Sequence, residues 1–369
     1  MKPRVLMVGR TRYRLPLSPP LKRKFDALSE QVDVRVLASG ANGEDPRFVL
    51  VPPAKGLDGA LFWASLPARI ARELRRFRPD AILAQSPYEA AAAVAALRLA
   101  RANARVLVDV HGDWRTSTRL YGSPLRRVLG PVADRVALRG LRRADTVRTI
   151  SDYTTGLVRE AGIEPGDVFP AFMDLEPFLE PFRPLPERPR ALFVGVLELY
   201  KNVDGLADAW RSAAPRVPEA TLHVVGSGTR TAVVERLVAE LPEQTRWTKE
   251  LSTEEVAAAL DDSTLLVLPS RSEGLGRVIV EALCRGRPVL ASAVGGIRDI
   301  VRDGENGVLV PPGDTEALAD ALVRLLSDHA EAERLAAAAR PSVEPWLATP
   351  EEYAQRVRSL VDGTIKPSP

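Results

Sequence analysis

The chain has 369 residues, 45% of them hydrophobic and 27% charged, with a net charge of +3. That length exceeds one ordinary core and the balance excludes a disordered or fibrous chain, so two globular domains are expected. The single cysteine, Cys284, rules out an internal disulfide framework and a cysteine-rich zinc site.

Apolar runs alternate with segments of helical period along nearly the whole chain. The opening MKPRVLMVGRTRYR turns basic after one strand's length, unlike a secretion signal, and a cytoplasmic protein is expected. Strands are predicted at 4–9, 32–37, 81–85, 105–111 and 145–151, with helices at 18–30, 58–77, 87–101, 131–143 and 152–161. The alanine-rich run from Ala90 is too short to span a bilayer. The pattern restarts near residue 190, giving strands at 190–197, 220–226, 264–270, 287–292 and 307–312. Alternation at this spacing predicts right-handed βαβ units and parallel sheets, an α/β fold. Between the halves lies EPFLEPFRPLPERPR, whose five prolines in fifteen residues bar regular structure.

The reading is therefore an N-terminal Rossmann-like domain, 1–180, a proline-rich linker, 181–189, and a C-terminal Rossmann-like domain, 190–345. A last helix, 350–362, is expected to pack back on the first domain. Doubly wound sheets bind ligands beyond the carboxyl ends of their strands, so two of them facing across a cleft would bind there.

Charge is unevenly spread. Eight basic residues precede the first acid, Asp26. In PVADRVALRGLRRADTVR, Arg135, Arg139, Arg142 and Arg143 fall on one arc of a helix, with Ala133, Val136, Ala137 and Leu141 around the other side. Such an arc is either a solvated face or a patch for anionic lipid or a phosphate-bearing substrate. Nucleic acid is not expected, because no recognition motif is present and aromatics are not interleaved with the basic residues.

The stretch SRSEGLGRVIVEALC carries most of the chemistry. A helix starting near Gly276 or Arg277 would present the unpaired amides of residues 274 to 277 in positive potential, where glycines let an anion approach the backbone. Glu273 stands in the loop before it. Glu281 lies about one turn inside, where a carboxylate can accept two vicinal hydroxyls. Together these parts suit a diphosphate joined to a ribose on one side and another hydroxylated group on the other.

The segment PSRSEGLGRVIVEALCRGRPVLASAVGGIRDIVRDGENGVLVPPGD resembles the donor-binding segment of the family 4 retaining glycosyltransferases, which have the GT-B fold. Their E-x7-E element corresponds to Glu273 and Glu281. The resemblance implies that Glu281 holds the ribose of a nucleoside diphosphate sugar and that Glu273 lies by the donor sugar. Gly274, Leu275 and Gly276 would offer amides to sugar and phosphate. In GVLELYKN, Lys201 fits the family's diphosphate-binding lysine, whereas Val196 stands where an arginine is usual. An N-terminal basic residue, Arg10 or Arg12, is the expected substitute.

In LVDVHGDWR, His111 follows a strand's carboxyl end, a place from which it can reach a sugar in the cleft. The same HGD resembles the family position where a histidine lies near the reacting sugar. Asp113 and Trp114 are expected to shape the acceptor side. His223 and His329 read as structural, as do Ser151 and Asp152, candidate helix caps. The first loop carries Gly9 alone where relatives have a glycine pair, followed by Arg10, Arg12 and Arg14. In this fold the N-terminal domain mainly chooses the acceptor.

The resemblance thus implies a retaining transferase that moves a sugar from a nucleoside diphosphate sugar to a carbohydrate or lipid-linked hydroxyl, without cofactor or metal. Absence of a D-x-D triplet agrees with the last point. Two rivals are a noncatalytic partner subunit of the same fold and a nicotinamide-dependent dehydrogenase. The dehydrogenase needs G-x-G-x-x-G after a strand, and neither VGRTRY nor EGLGRVIV supplies it.

Overall fold

The computed structural model describes residues 1–41, 43–52, 58–115, 124–180 and 183–366. It comprises two compact units: Met1–Phe172 with Ala348–Pro369, and Met173–Leu347.

The first unit is built on a seven-stranded parallel sheet in the order β3-β2-β1-β4-β5-β6-β7. Its strands are β1 Arg4–Tyr13, β2 Asp33–Gly40, β3 Phe48–Val51, β4 Ala81–Ala84, β5 Arg105–Val110, β6 Thr146–Thr149 and β7 Asp167–Val168. Side chains alternate across a strand, so an apolar run feeds both faces of a covered sheet. Leu6 and Val8 of β1 join the face packed by the helices Asp58–Arg76, Pro87–Ala100 and Pro124–Leu141, through Phe62, Leu66, Ala90, Ala93 and Leu141. Val5 and Met7 join the opposite face, covered by Phe25 and Leu28 of the helix Pro19–Gln31 and by Val357 and Val361 of the helix Pro350–Ile365. The last helix therefore completes the first unit's core.

The second unit holds a six-stranded parallel sheet in the order β10-β9-β8-β11-β12-β13. Its strands are β8 Arg190–Val194, β9 Thr221–Val225, β10 Thr245–Thr248, β11 Leu265–Leu268, β12 Val289–Ser292 and β13 Gly307–Val310. In both sheets the chain works outward from the first strand to one side and then to the other. The crevice at that reversal lies between β1 and β4 in the first unit and between β8 and β11 in the second.

Three expectations change. The strand predicted at 4–9 runs on to Tyr13, with an irregular register against β2 between Val8 and Arg12. Arg10 and Arg12 thus belong to a strand extension rather than to a loop. The proline-rich stretch is not a free connector: Arg287, fully buried, donates to the carbonyls of Arg183 (2.8 Å) and Pro184 (3.2 Å), and Leu185 packs on Ala332 and Ala336. Residues 181–182 of that predicted linker lie outside the described residues. On the helix Pro124–Leu141, Ala137 and Leu141 are buried and Arg135 and Arg139 are exposed, as are Arg142 and Arg143 in the turn that follows, but Val136 lies on the exposed side as well. Among the described residues, no helix is long and apolar enough to cross a membrane.

Candidate functional site

The second unit's crevice collects the predicted donor residues other than Gly9, which lies in the first unit. β8 ends at Val194, and the Gly195 amide bonds the Val225 carbonyl at the end of β9 (3.0 Å). A short 3-10 turn, Leu199–Lys201, then brings Lys201 back over Gly195. The loop after β11 is stitched to this turn: the Arg271 amide donates to the Tyr200 carbonyl (2.7 Å) and its guanidinium to Asn202 Oδ1 (3.0 Å). That stitching sets Lys201 against Glu273, and the two form an ion pair with side chains each 11% exposed. Ser270 Oγ donates to the same carboxylate oxygen at 3.0 Å. Glu273 is therefore anchored from two sides. Val196, next to Gly195, is about half exposed and brings no charge to the loop.

From Glu273 the chain turns through Gly274-Leu275-Gly276 into the helix Arg277–Cys284. Gly276 adopts φ 85°, a left-handed conformation that costs other residues about 1–2 kcal/mol. Gly296 packs so closely that a Cβ there would strike the Gly274 carbonyl, and its amide bonds the Glu273 carbonyl (3.2 Å). The first amides of a helix have no partner inside it, so the turn presents donors in positive potential. An anion fits such a terminus. Glu281, in the second turn, is buried and accepts from Arg277 Nε at 2.6 Å. Burial pushes its carboxyl above the usual range, against the pull of Arg277. On the edge strand β10, Trp247 Nε1 donates to the Gly226 carbonyl (2.8 Å), which ties that strand to the β9 loop.

In the first unit, His111 directly follows β5 and its side chain is 42% exposed. Its Nε2 lies 3.2 Å from Asp109 Oδ2, and Asp109 Oδ1 accepts from Arg148 Nη1 at 2.5 Å. Burial alone would raise the Asp109 carboxyl; Arg148 and then His111 outweigh it and hold the group well below the ordinary range. Glu89, buried in the first turn of the helix Pro87–Ala100, takes the Ser86 hydroxyl. Burial raises its carboxyl, opposed by Ser86, the Arg10 backbone and the nearby His111.

Other first-unit candidates take different places. The space a Cβ on Gly9 would need is filled by the Gln85 side chain, which also accepts from the Thr11 hydroxyl (3.0 Å). Arg10 and Arg12 are exposed at the end of β1. Asp113 is engaged locally, accepting from the Arg115 amide at 2.8 Å and from its Nε at 3.1 Å. Trp114 is a core residue, 6% exposed, with its carbonyl bonded by Tyr88 (3.2 Å); its apolar bulk is served better inside than on an acceptor-facing wall. Sequence reasoning missed Ser270, Arg277, Glu89, Asp109 and Arg148. Only Arg277 had a local signal, its four-residue spacing to Glu281.

A glycine turn with Glu273 before it and Glu281 in the helix it opens stands at the strand-order reversal of a parallel α/β sheet. Family models agree: "Glycosyl transferases group 1" matches residues 179–341 and "Glycosyl transferase 4-like domain" matches residues 22–171. The chain belongs to the family 4 glycosyltransferases and has their GT-B architecture of two Rossmann-like units.

Among curated relatives, sulfoquinovosyl transferase of Arabidopsis thaliana is 28% identical over 76% of this chain and 56% of its own length. Alpha-D-kanosaminyltransferase of Streptomyces kanamyceticus is 34% identical over 42% of this chain and 41% of its own length. The matches thus span about half the length of these relatives. Sucrose-phosphate synthase from Thermosynechococcus elongatus superposes with a TM-score of 0.78 at 21% identity, covering 97% of this chain and 99% of that one. Anabaena HepE in complex with UDP-glucose gives 0.72 at 18%, covering 97% and 100%. At these identities the structural likeness speaks for the fold.

Proposed function

We propose that the chain transfers a sugar from a nucleoside diphosphate sugar to a hydroxyl acceptor, with retention of configuration and without a metal. The observation that carries this reading is the Lys201–Glu273–Ser270 cluster beside the glycine turn, with Glu281 buried in the helix behind it. Glu281 accepts the ribose hydroxyls, for which Arg277 must yield its place. The turn's amides and Lys201 neutralise the diphosphate as it leaves, the moment at which fixed donors contribute most. Glu273 orients the donor sugar and, tied to Lys201, couples sugar position to phosphate position. His111 of the first unit acts at the reacting sugar.

A solved relative of the same fold carries UDP-glucose, and curated relatives named for glycogen and for phosphatidyl-myo-inositol support a carbohydrate or lipid-linked acceptor. The exposed arginines of the helix Pro124–Leu141 suit an anionic membrane surface on the cytoplasmic side. A second reading, a noncatalytic nucleotide-sugar-binding partner subunit, is favoured by one observation, the uncharged Val196.

Thermal-shift screening against UDP, GDP, ADP and their sugars, followed by donor hydrolysis, separates the two. Hydrolysis with Glu281→Ala weakened in nucleotide binding and His111→Ala weakened in turnover supports the transferase. Binding without hydrolysis or transfer supports the partner subunit. An inverted product anomer rejects retention.

A further inference from the structure

His111 does not stand alone: a buried chain of charge runs behind it. Asp109 and Arg148 are direct cross-strand partners in the β5–β6 register, so the sheet itself sets one against the other. Arg148, 1% exposed, is held through both terminal nitrogens, while its buried Nε has no hydrogen-bond partner among the described residues. Its Nη1 meets Asp109 Oδ1 at 2.5 Å, its Nη2 donates to the carbonyls of Phe169 (2.8 Å) and Pro170 (2.7 Å), and its guanidinium lies 3.7 Å from the Phe169 ring centre. Tyr353, from the helix Pro350–Ile365, lies alongside with its ring centre 5.7 Å from the guanidinium. An arginine held this way leaves Asp109 no freedom, and the second carboxylate oxygen, Oδ2, faces His111 Nε2 at 3.2 Å.

We infer that Asp109 and Arg148 are positioning residues that lock His111 as the Nε2–H tautomer and aim its Nδ1 outward as a hydrogen-bond acceptor. A neutral imidazole has one donor and one acceptor nitrogen, and a carboxylate on one nitrogen decides which is which. Asp109 accepts and cannot donate while ionised, so the proton sits on Nε2. The half-exposed ring then offers a lone pair, suited to a sugar hydroxyl, from Nδ1. Glu89 is another carboxyl near His111, and burial raises it.

The inference deepens the assignment of His111 to the reacting sugar and rests on it for its catalytic consequence, so its test has two arms. Asp109→Asn alone would strand the Arg148 charge in the core and risks unfolding. The double variant Asp109→Asn/Arg148→Gln removes both charges and keeps amide hydrogen bonds.

The first arm is 15N NMR of the ring nitrogens in the full chain. It has three histidines, and His111→Ala identifies the His111 signals. The expected result is a dominant Nε2–H tautomer in the wild type, lost in the folded double variant. An unchanged tautomer, or a wild type protonated on Nδ1, overturns the inference. The second arm is hydrolysis of UDP-glucose, GDP-mannose or ADP-glucose, whichever the wild type accepts. The double variant should lose roughly 10- to 100-fold in kcat with KM changed less than about 3-fold. If His111→Ala hydrolyses donor normally, the assignment of His111 fails while the NMR arm still judges the lock. If His111→Ala fails and the double variant keeps full kcat, the lock has no catalytic role and the inference is overturned.

Discussion

The Lys201–Glu273 pair offers a prediction in which stability and activity part company. Both side chains are 11% exposed, and among the described residues Ser270 is the other hydrogen-bond partner of the Glu273 carboxylate. Lys201→Met leaves a carboxylate in a largely dry site with one hydroxyl donor. Glu273→Gln leaves an ammonium there without its counter-charge. Breaking a buried pair from one side costs about 3 kcal/mol or more, so each single variant should lose about 3 kcal/mol. Independent residues would give a double variant about 6 kcal/mol below the wild type. Removing both charges at once strands neither, so Lys201→Met/Glu273→Gln should lose only about 3 kcal/mol, a coupling of about 3 kcal/mol. Native-state hydrogen exchange of the β8 and β11 amides reads this within the second unit. Donor hydrolysis should be abolished in all three proteins, the double variant included. Additive losses, or singles that cost under 1 kcal/mol, would refute the buried pair.

Glu281→Gln should separate stability from binding in the opposite sense. The folded protein holds the Glu281 proton more tightly than the unfolded chain, so ionising it opposes folding above its raised pKa. The variant should melt higher than wild type at neutral pH, lose that advantage in acid, and bind the preferred nucleotide about 10-fold more weakly by calorimetry. Gly276→Ala places a side chain at φ 85° with its Cβ 3.0 Å from Ile279 Cδ1, and should lower nucleotide affinity about 10-fold by distorting the turn. His223 hydrogen-bonds Thr248 at 2.9 Å, and burial, with Arg246 and Arg190 nearby, pushes its imidazole down to about 4. The unfolded chain therefore takes up this proton first. Stability should fall as pH drops from about 6.5 towards 4, a slope that His223→Gln should flatten in urea melts.

The architecture was legible because apolar runs of strand length and helical-period segments alternate almost without exception. What escaped was short or polar. β3, β7 and β10 are edge strands of four, two and four residues, too brief for alternation to announce them. Arg10, Thr11 and Arg12 read as loop because nothing apolar marks them, yet the sheet carries them on to Tyr13. At the glycine turn, the closeness of Glu273, Gly274, Gly276 and Glu281 could be read because they sit in one contiguous stretch. The pairing of Lys201 with Glu273 could not be read from spacing, because it depends on β8 and β11 being neighbours. Asp109 and Arg148 were invisible for the same reason: thirty-nine residues separate them, and only the β5–β6 register joins them. Trp114 was misjudged because residues beside a strand end can turn inward as readily as outward.

The return of the chain to its first unit has a consequence for synthesis. Residues 173–347 are, in effect, an insertion into a domain whose core is finished only by Tyr353, Val357 and Val361. At translation rates of about 5–20 residues per second, the face bearing Phe25 and Leu28 waits roughly 15–65 seconds for its covering helix. The inserted unit is complete before then and can fold while its host is still open. An apolar face exposed for that long is a natural chaperone client, and a ribosome stalled anywhere in the second unit would leave a finished insert attached to an unfinished host.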